Sequence, residues 1–328
     1  MAAPMVETQR KLECLHMTIF SQSFSPCGRY LAAGNNYGEV GIFSLASALS
    51  MDATEENQKP VFTFQAHDGP VYSLVSTSRQ LISSGTGDVK GWNWNELIKK
   101  GCKEAWSRRP AFGTRLDIPE INSLILNHKD NTLLMACGDN SVQVMDLENG
   151  VFTQTLRGHK DYVHCLALRD QHRECVSGSE DGTVRLWDLR TAAEVDVIEV
   201  YKYEECTRPL HGKWIGCLST DSNWLVCGGG PALSLWHLRS VTPTTVYPLP
   251  GNQHQVMFYQ DLRLAHPLRN VHLEGRGTAE TLGTLPSLEL HCTGASWFRQ
   301  QHRFKMAAHH LLARRLAGGG AEWIKQSN

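Results

Sequence analysis

The chain has 328 residues, 41% of them apolar and 20% charged, with a formal net charge of −1. That length suits one large all-β domain or two smaller ones, and the charge balance calls for neither a nucleic-acid nor a membrane partner. Ten cysteines without a Cys-x-x-Cys pair read as buried, reduced thiols of the cytosol or nucleus, and the lack of a signal-peptide core or an 18-residue apolar run argues against secretion and membrane spanning.

Residues 1–9 carry little pattern and are expected to form a flexible N-terminus. From Leu15-His16 a first β repeat can be followed. Its run Ala33 to Leu45 aligns without gaps on Ser177 to Leu189, with Phe43 where the later segment has Trp and Tyr37 where it has Asp. Asp52 to Glu56 is a polar surface loop. A second repeat opens at Thr63-Phe64-Gln65-Ala66-His67 and continues through Val71 to Ser76, Leu81 to Ser84 and Val89 to Trp94. Its polar candidates are His67, Ser83 or Ser84, and Trp92. Thr86 stands near where an Asp is wanted, so a weaker unit is expected. Asn95 to Trp106 reads as an amphipathic helix over the rim, with Trp94, Ile98, Cys102 and Ala105 on one face and Lys99, Lys100 and Lys103 on the other. The third repeat holds Glu120 to Leu126, Leu133 to Cys137 and Val142 to Leu147. Asp139 sits at its turn, but no histidine stands near Pro119.

The fourth repeat is the clearest. Gly158-His159 is followed by a Trp187-Asp188 pair 28 residues after the histidine, with the β-rich runs Val163 to Leu168, Cys175 to Ser179 and Thr183 to Asp188 between them. Glu180-Asp181-Gly182 is a hairpin turn signal. This is the signature of one β-propeller blade, and Val151 to Leu156 is taken as its fourth strand. Proteins with this motif join a histidine, a serine, an aspartate and a tryptophan in a hydrogen-bonded chain inside the blade. Here those are His159, Ser177, Asp181 and Trp187, with Ser179 a competing hydroxyl. A hydrolytic triad is not expected, because no Gly-x-Ser-x-Gly elbow surrounds the serine. The fifth repeat holds Trp214 to Thr220, Trp224 to Cys227 and Ala232 to Leu238, with Gly230 in place of the turn Asp. Thr244 to Tyr247 and Val256 to Tyr259 open a sixth, and there the pattern stops.

The fold class is therefore all-β, a WD-repeat β-propeller of the seven-bladed family with five readable blades and the last two not supplied by the pattern. Residues 10–261 form the body and residues 262–328 a divergent tail. From Arg263 onward there are nine Lys and Arg against four Glu and no Asp, a net of +5 that leaves −6 for the preceding residues. Within the tail, Ser296 to Ala317 reads as a basic amphipathic helix ended by Gly318-Gly319-Gly320. His302, His309 and His310 lack a companion Cys or acidic cluster, so neither a metal nor a cofactor is expected.

Several runs carry a more specific likeness: Leu15 to Ser23, Leu31 to Gly38, Phe64 to Ser73, Trp214 to Leu218 and Val226 to Arg239. On these the chain resembles the THO complex subunit 6 family of WD-repeat proteins. The resemblance implies a nuclear, non-enzymatic scaffold within THO/TREX, which couples transcription and splicing to messenger RNA export, with nuclear speckles as its finer location. It also implies contact with the other THO subunits, subunit 5 above all, a part in oligomerising the complex, and a DEAD-box RNA helicase reached through the complex. RNA contact would be indirect. A rival reading rests on Trp187-Asp188-Leu189-Arg190, which resembles the box of cullin-RING ubiquitin ligase receptors. Trp187, Asp188 and Arg190 would then dock the ligase adaptor, with Arg190 as a bidentate ion-pair donor.

Overall fold

The computed structural model describes residues 16–275 except 51, 55, 113–117, 170–172, 248, 250, 260–261 and 268–271, with residue 259 and the strands after 261 described by backbone alone. Five four-stranded antiparallel sheets and one three-stranded sheet succeed one another along the chain. The first holds Ile19–Phe24, Tyr30–Asn35, Glu39–Ser44 and Phe62–Gln65. The second holds Ser73–Ser76, Gln80–Ser84, Val89–Asn93 and Glu104–Arg108. The third runs from Ile121–Asn127 through Thr132–Cys137 and Ser141–Asp146 to Phe152–Arg157. The fourth is Val163–Arg169, Glu174–Ser179, Thr183–Asp188 and Ala193–Glu199. The fifth is Ile215–Asp221, Trp224–Gly229, Leu233–His237 and Thr242–Tyr247, and the sixth is Gln253–Tyr259, Leu262–Pro267 and His272–Gly275.

The first strand of each sheet packs against the first strand of the next, from the first sheet to the sixth. Neighbouring sheets then press face to face, and the apolar core lies between blades. Leu134, Val142 and Leu156 of the third meet Leu166, Cys175 and Trp187 of the fourth, while Val176 and Leu186 of the fourth meet Leu218, Leu225 and Trp236 of the fifth. A middle strand is covered on both faces, which is why Cys175 through Ser179 are all buried. An outer strand such as Phe152–Arg157 alternates in exposure instead.

Three expectations need correction. Phe152–Arg157, taken as part of the fourth blade, pairs with Ser141–Asp146 and closes the third, and the fourth blade's outer strand is Ala193–Glu199. The short link from Leu147 to Val151 can only fold the chain back on the strand it has just left. Each sequence repeat therefore begins with the outer strand of the preceding blade and staples two blades together.

The helix expected over Asn95 to Trp106 is one turn, Trp94–Ile98, ended by the amide of Gly101 on the Glu96 carbonyl. It buries Trp94 and Leu97, while Ile98 and Cys102 are exposed. Glu104–Arg108 is the outer strand of the second blade, held by pairing with Val89–Asn93 and by the Trp106 indole on Gln80 Oε1 at 3.0 Å.

Thr242–Tyr247 closes the fifth blade and does not open the sixth. In the sixth, Tyr259 pairs with Leu262 and Leu262 with Gly275. The tail helix and His302, His309 and His310 lie outside the described residues, as do residues 1–9.

Candidate functional site

The polar residues singled out in the fourth blade converge. His159 Nδ1 lies 3.1 Å from Asp181 Oδ2, His159 Nε2 lies 2.7 Å from Ser177 Oγ, and the Trp187 indole N–H donates to that oxygen at 2.8 Å. All four residues are buried. Ser179 is not the bridging hydroxyl: its Oγ donates to the Asp161 carbonyl and accepts from the Asp181 amide. The proton positions follow from the inventory of donors. Ser177 Oγ accepts from Trp187 and has one proton to give, which goes to Nε2. The imidazole is therefore neutral, with its proton on Nδ1 facing Asp181. A charged ring would leave the serine proton stranded in a buried site.

The ionisation tendencies agree. Burial is the largest influence on His159 and lowers its pKa, against the opposing pull of Asp181. Burial pushes Asp181 up but is outweighed by the bonds from His159, the Lys160 amide and Thr183, so the carboxyl is held below its ordinary range. The Lys160 and Thr183 amides reach it at 2.9 and 2.8 Å, and the Thr183 hydroxyl at 2.7 Å.

The second blade repeats the chain in full. His67 Nδ1 is 2.7 Å from Asp88 Oδ1, Nε2 is 2.7 Å from Ser83 Oγ, and the Trp92 indole donates to Ser83 Oγ at 2.9 Å. The carboxylate comes from Asp88, so the expectation of a unit lacking its aspartate is corrected. Counting back four residues from each tryptophan, Asp88 occupies the position of Thr183, on the far side of the turn glycine. Gly85 leaves room for the histidine, since a Cβ there would lie 2.4 Å from His67 Nδ1. Burial raises the Asp88 pKa, but the His67 bond, Lys90 and Arg109 hold it low.

The other blades close their turns differently. In the first, Asn35 Oδ1 accepts the amides of Tyr37 and Glu39, each at 2.9 Å. In the third, Asp139 accepts the Ser141 amide and hydroxyl at 3.2 and 2.5 Å. In the fifth, the Arg208 guanidinium donates to five carbonyls: Gly229 at 2.7 Å, Gly230 at 2.9 Å, Pro231 at 3.1 Å, Leu249 at 3.3 Å and Gly251 at 2.6 Å. It ties the turn where Gly230 replaces an aspartate to the start of the sixth blade. No motif marks Arg208 in the sequence.

Of the proposed adaptor-docking residues, Trp187 is 1% exposed and points into the core. Asp188 and Arg190 are at the surface and engage each other, with Arg190 Nε and Nη2 at 3.1 and 2.8 Å from the two carboxylate oxygens. Among the described residues, no three His, Cys, Asp or Glu side chains converge as metal ligands, and no helix is long and apolar enough to cross a membrane.

The sequence profile of the nucleolar protein 10-like N-terminal domain matches residues 111–247, and that of the WD domain, G-beta repeat, matches residues 58–93. Human THO complex subunit 6 is 60% identical over 294 residues, covering 88% of this chain and 86% of the relative. That span exceeds the 262 residues before Arg263, so it takes in part of the tail. The Danio rerio THO complex subunit 6 homolog is 59% identical over 251 residues, 76% of this chain and 78% of its own. Among solved structures, the WD40 β-propeller domain of Doa1 superposes with a TM-score of 0.58 at 18% identity, over 75% of each chain.

Proposed function

The chain belongs to the THO complex subunit 6 family, and on that footing we infer that it acts as a non-catalytic scaffold of the THO/TREX assembly in nuclear messenger RNA export. The observation that carries this reading is 60% identity sustained over 88% of the chain, which a shared repeat alone does not produce. The interior chemistry supports it. The histidines, serines and carboxylates that a catalyst would present to a substrate are consumed in one another's hydrogen bonds inside the blades. What a propeller of this kind offers partners is rigid surface. Subunit 5 is the expected direct contact, and the DEAD-box helicase and RNA are reached through the complex, in the nucleus and its speckles.

Affinity purification of the tagged full chain from nuclear extract tests the reading. THO subunits are expected in stoichiometric yield, both for the wild type and for Arg190→Ala. Recovery of a ligase adaptor that Arg190→Ala abolishes, without THO subunits, would replace the scaffold reading with the ubiquitin-ligase one.

A further inference from the structure

The first strands of five sheets share an irregularity at the same place. Register shifts isolate Phe20, Asn122, His164, Gly216 and His254, one in each of the first, third, fourth, fifth and sixth sheets. Tyr72 stands just before the corresponding strand of the second. A bulge removes its residue from strand alternation and turns the side chain away from the blade interior. Bonds between consecutive first strands put these positions at one level: Ser21 Oγ to the Val71 carbonyl at 3.4 Å, Asn122 Nδ2 to the Val163 carbonyl at 2.9 Å, and Cys165 Sγ to the Ile215 carbonyl at 3.5 Å.

The result is an arc of rings at one end of the innermost strands. Phe20 stacks on Tyr72 with centroids 6.1 Å apart and planes 2° apart. His164 and Trp214 are 6.4 Å apart, and Trp214 and His254 6.2 Å. Gly216, the one bulge without a side chain, leaves its space to Trp214, whose ring a Cβ there would meet at 2.2 Å. Phe20 is 41% exposed and His254 is exposed, while Tyr72, His164 and Trp214 are half-buried. Phe64, Trp92, Trp187 and Trp236 are buried between blades, whereas these rings are kept in reach of water side by side at one end of the innermost strands, which makes them a contact surface.

The charges along the arc select the partner. Glu180 Oε2 lies 3.2 Å from His164 Nε2, with its side chain 47% exposed. Glu120 pairs with Thr86 across an antiparallel bridge, two residues before the bulged Asn122, and its charge adds to the larger effect of burial in raising the Tyr72 pKa against the Thr86 bond. The nearby cation Lys213 is engaged over the Tyr201 ring at 5.4 Å. Ring faces bordered by carboxylates favour a guanidinium, which stacks flat and pairs at its edge, and disfavour the phosphates of RNA. We propose that the arc Phe20, Tyr72, His164, Trp214 and His254, with Glu120 and Glu180, is a docking surface for an arginine-bearing segment of a partner protein. This rests on the scaffold reading and gives that scaffold a recognition site.

Selection of a bead-bound random octapeptide library by the full chain tests it, with Phe20→Ala/Glu180→Gln as the variant, since both side chains are exposed and its melting should match the wild type. The expected result is arginine enriched at least about threefold over lysine and over its input frequency by the wild type, and lost in the variant. Acidic or purely apolar selected peptides, no enrichment, or enrichment unchanged in the variant would overturn the proposal. So would tighter binding of a labelled oligouridine to the wild type than to the variant. Recovery of THO subunits by the same wild-type preparation keeps the two readings separate: THO recovery without arginine selection sinks only this one.

Discussion

Asp88 meets His67 Nδ1 at 2.7 Å from the residue after its turn glycine, whereas Asp181 meets His159 from the residue before its own. The same buried imidazole atom is satisfied from opposite sides of a tight turn. The second blade should accordingly be as firmly closed as the fourth. Asp88→Ala and Asp181→Ala should each cost about 1.5–3 kcal/mol, because each strands a buried N–H. Urea denaturation of both variants checks this, and a cost at Asp88 under about 0.5 kcal/mol would refute the equivalence.

The serine is the junction of each chain and the indole only a branch. Ser177→Ala removes the acceptor of Trp187 and the donor to His159 Nε2 together, while Trp187→Phe removes one donor and leaves Ser177 bonded to His159. At the level of these bonds alone, Ser177→Ala leaves two buried groups unpaired and should cost about 2–4 kcal/mol. Its backbone amide exchange should accelerate across Glu174–Ser179 and Thr183–Asp188. In Trp187→Phe the loss should centre on the indole's packing against the third blade. Exchange unchanged in Ser177→Ala would contradict the assigned bonding.

Acidification should destabilise the protein in two stages. The folded pKa of His159 is lowered, so the unfolded chain takes up a proton first as pH falls below about 6.5, and stability present above that value drains away toward the folded pKa. One such proton gives a slope of at most about 1.4 kcal/mol per pH unit. Asp181 and Asp88 are depressed carboxylates, whose contribution is full above about 4 and is lost below it. Denaturation between pH 7 and 5 should therefore be steeper in the wild type than in His159→Gln. Equal slopes would show that His159 does not titrate on unfolding.

Arg208 should matter to the fifth and sixth blades and to no other. Burial lowers its pKa, the response of a guanidinium taken partly out of water. Arg208→Lys keeps the charge but cannot span five acceptors, so protection should fall around Gly229–Pro231 and Gly251 while the second and fourth blades stay unchanged. A loss spread evenly over the protein would contradict a local clamp.

Thiol reactivity should single out one turn. The Ser25 bond is the largest influence on Cys27; burial opposes it, Arg29 assists it, and the pKa comes down to about 7. Cys175 and Cys217 are pushed well up by burial and Cys227 to about 12. Iodoacetamide at neutral pH should modify Cys27 before any of these. Earlier modification of a buried cysteine in the folded protein would contradict the packing.

Much of this was readable in the sequence, for reasons tied to particular residues. Gly158-His159 and Trp187-Asp188 mark a blade because a fixed turn and three strands must fit between them, and the same spacing located the first three strands of five blades. The outer strands were misplaced because strand propensity says nothing about which neighbour a strand pairs with. Asp88 was missed because an alignment that holds the tryptophans in register hides a carboxylate arriving from the other side of the turn. Asn95 to Trp106 reads as a helix because period 3.6 and period 2 overlap over so short a stretch. Arg208 left no trace, since its partners are backbone carbonyls, which every residue has.

A propeller closed by its own buried hydrogen-bonded chains is a body folded before it meets its partners. Hydrogen exchange of the full chain, alone and mixed with purified THO subunits, tests that most directly. Strands carrying the His67 and His159 chains should be maximally protected in both samples, with new protection confined to strand ends and connecting loops. Strands that become protected only in the mixture, or no new protection anywhere, would contradict it.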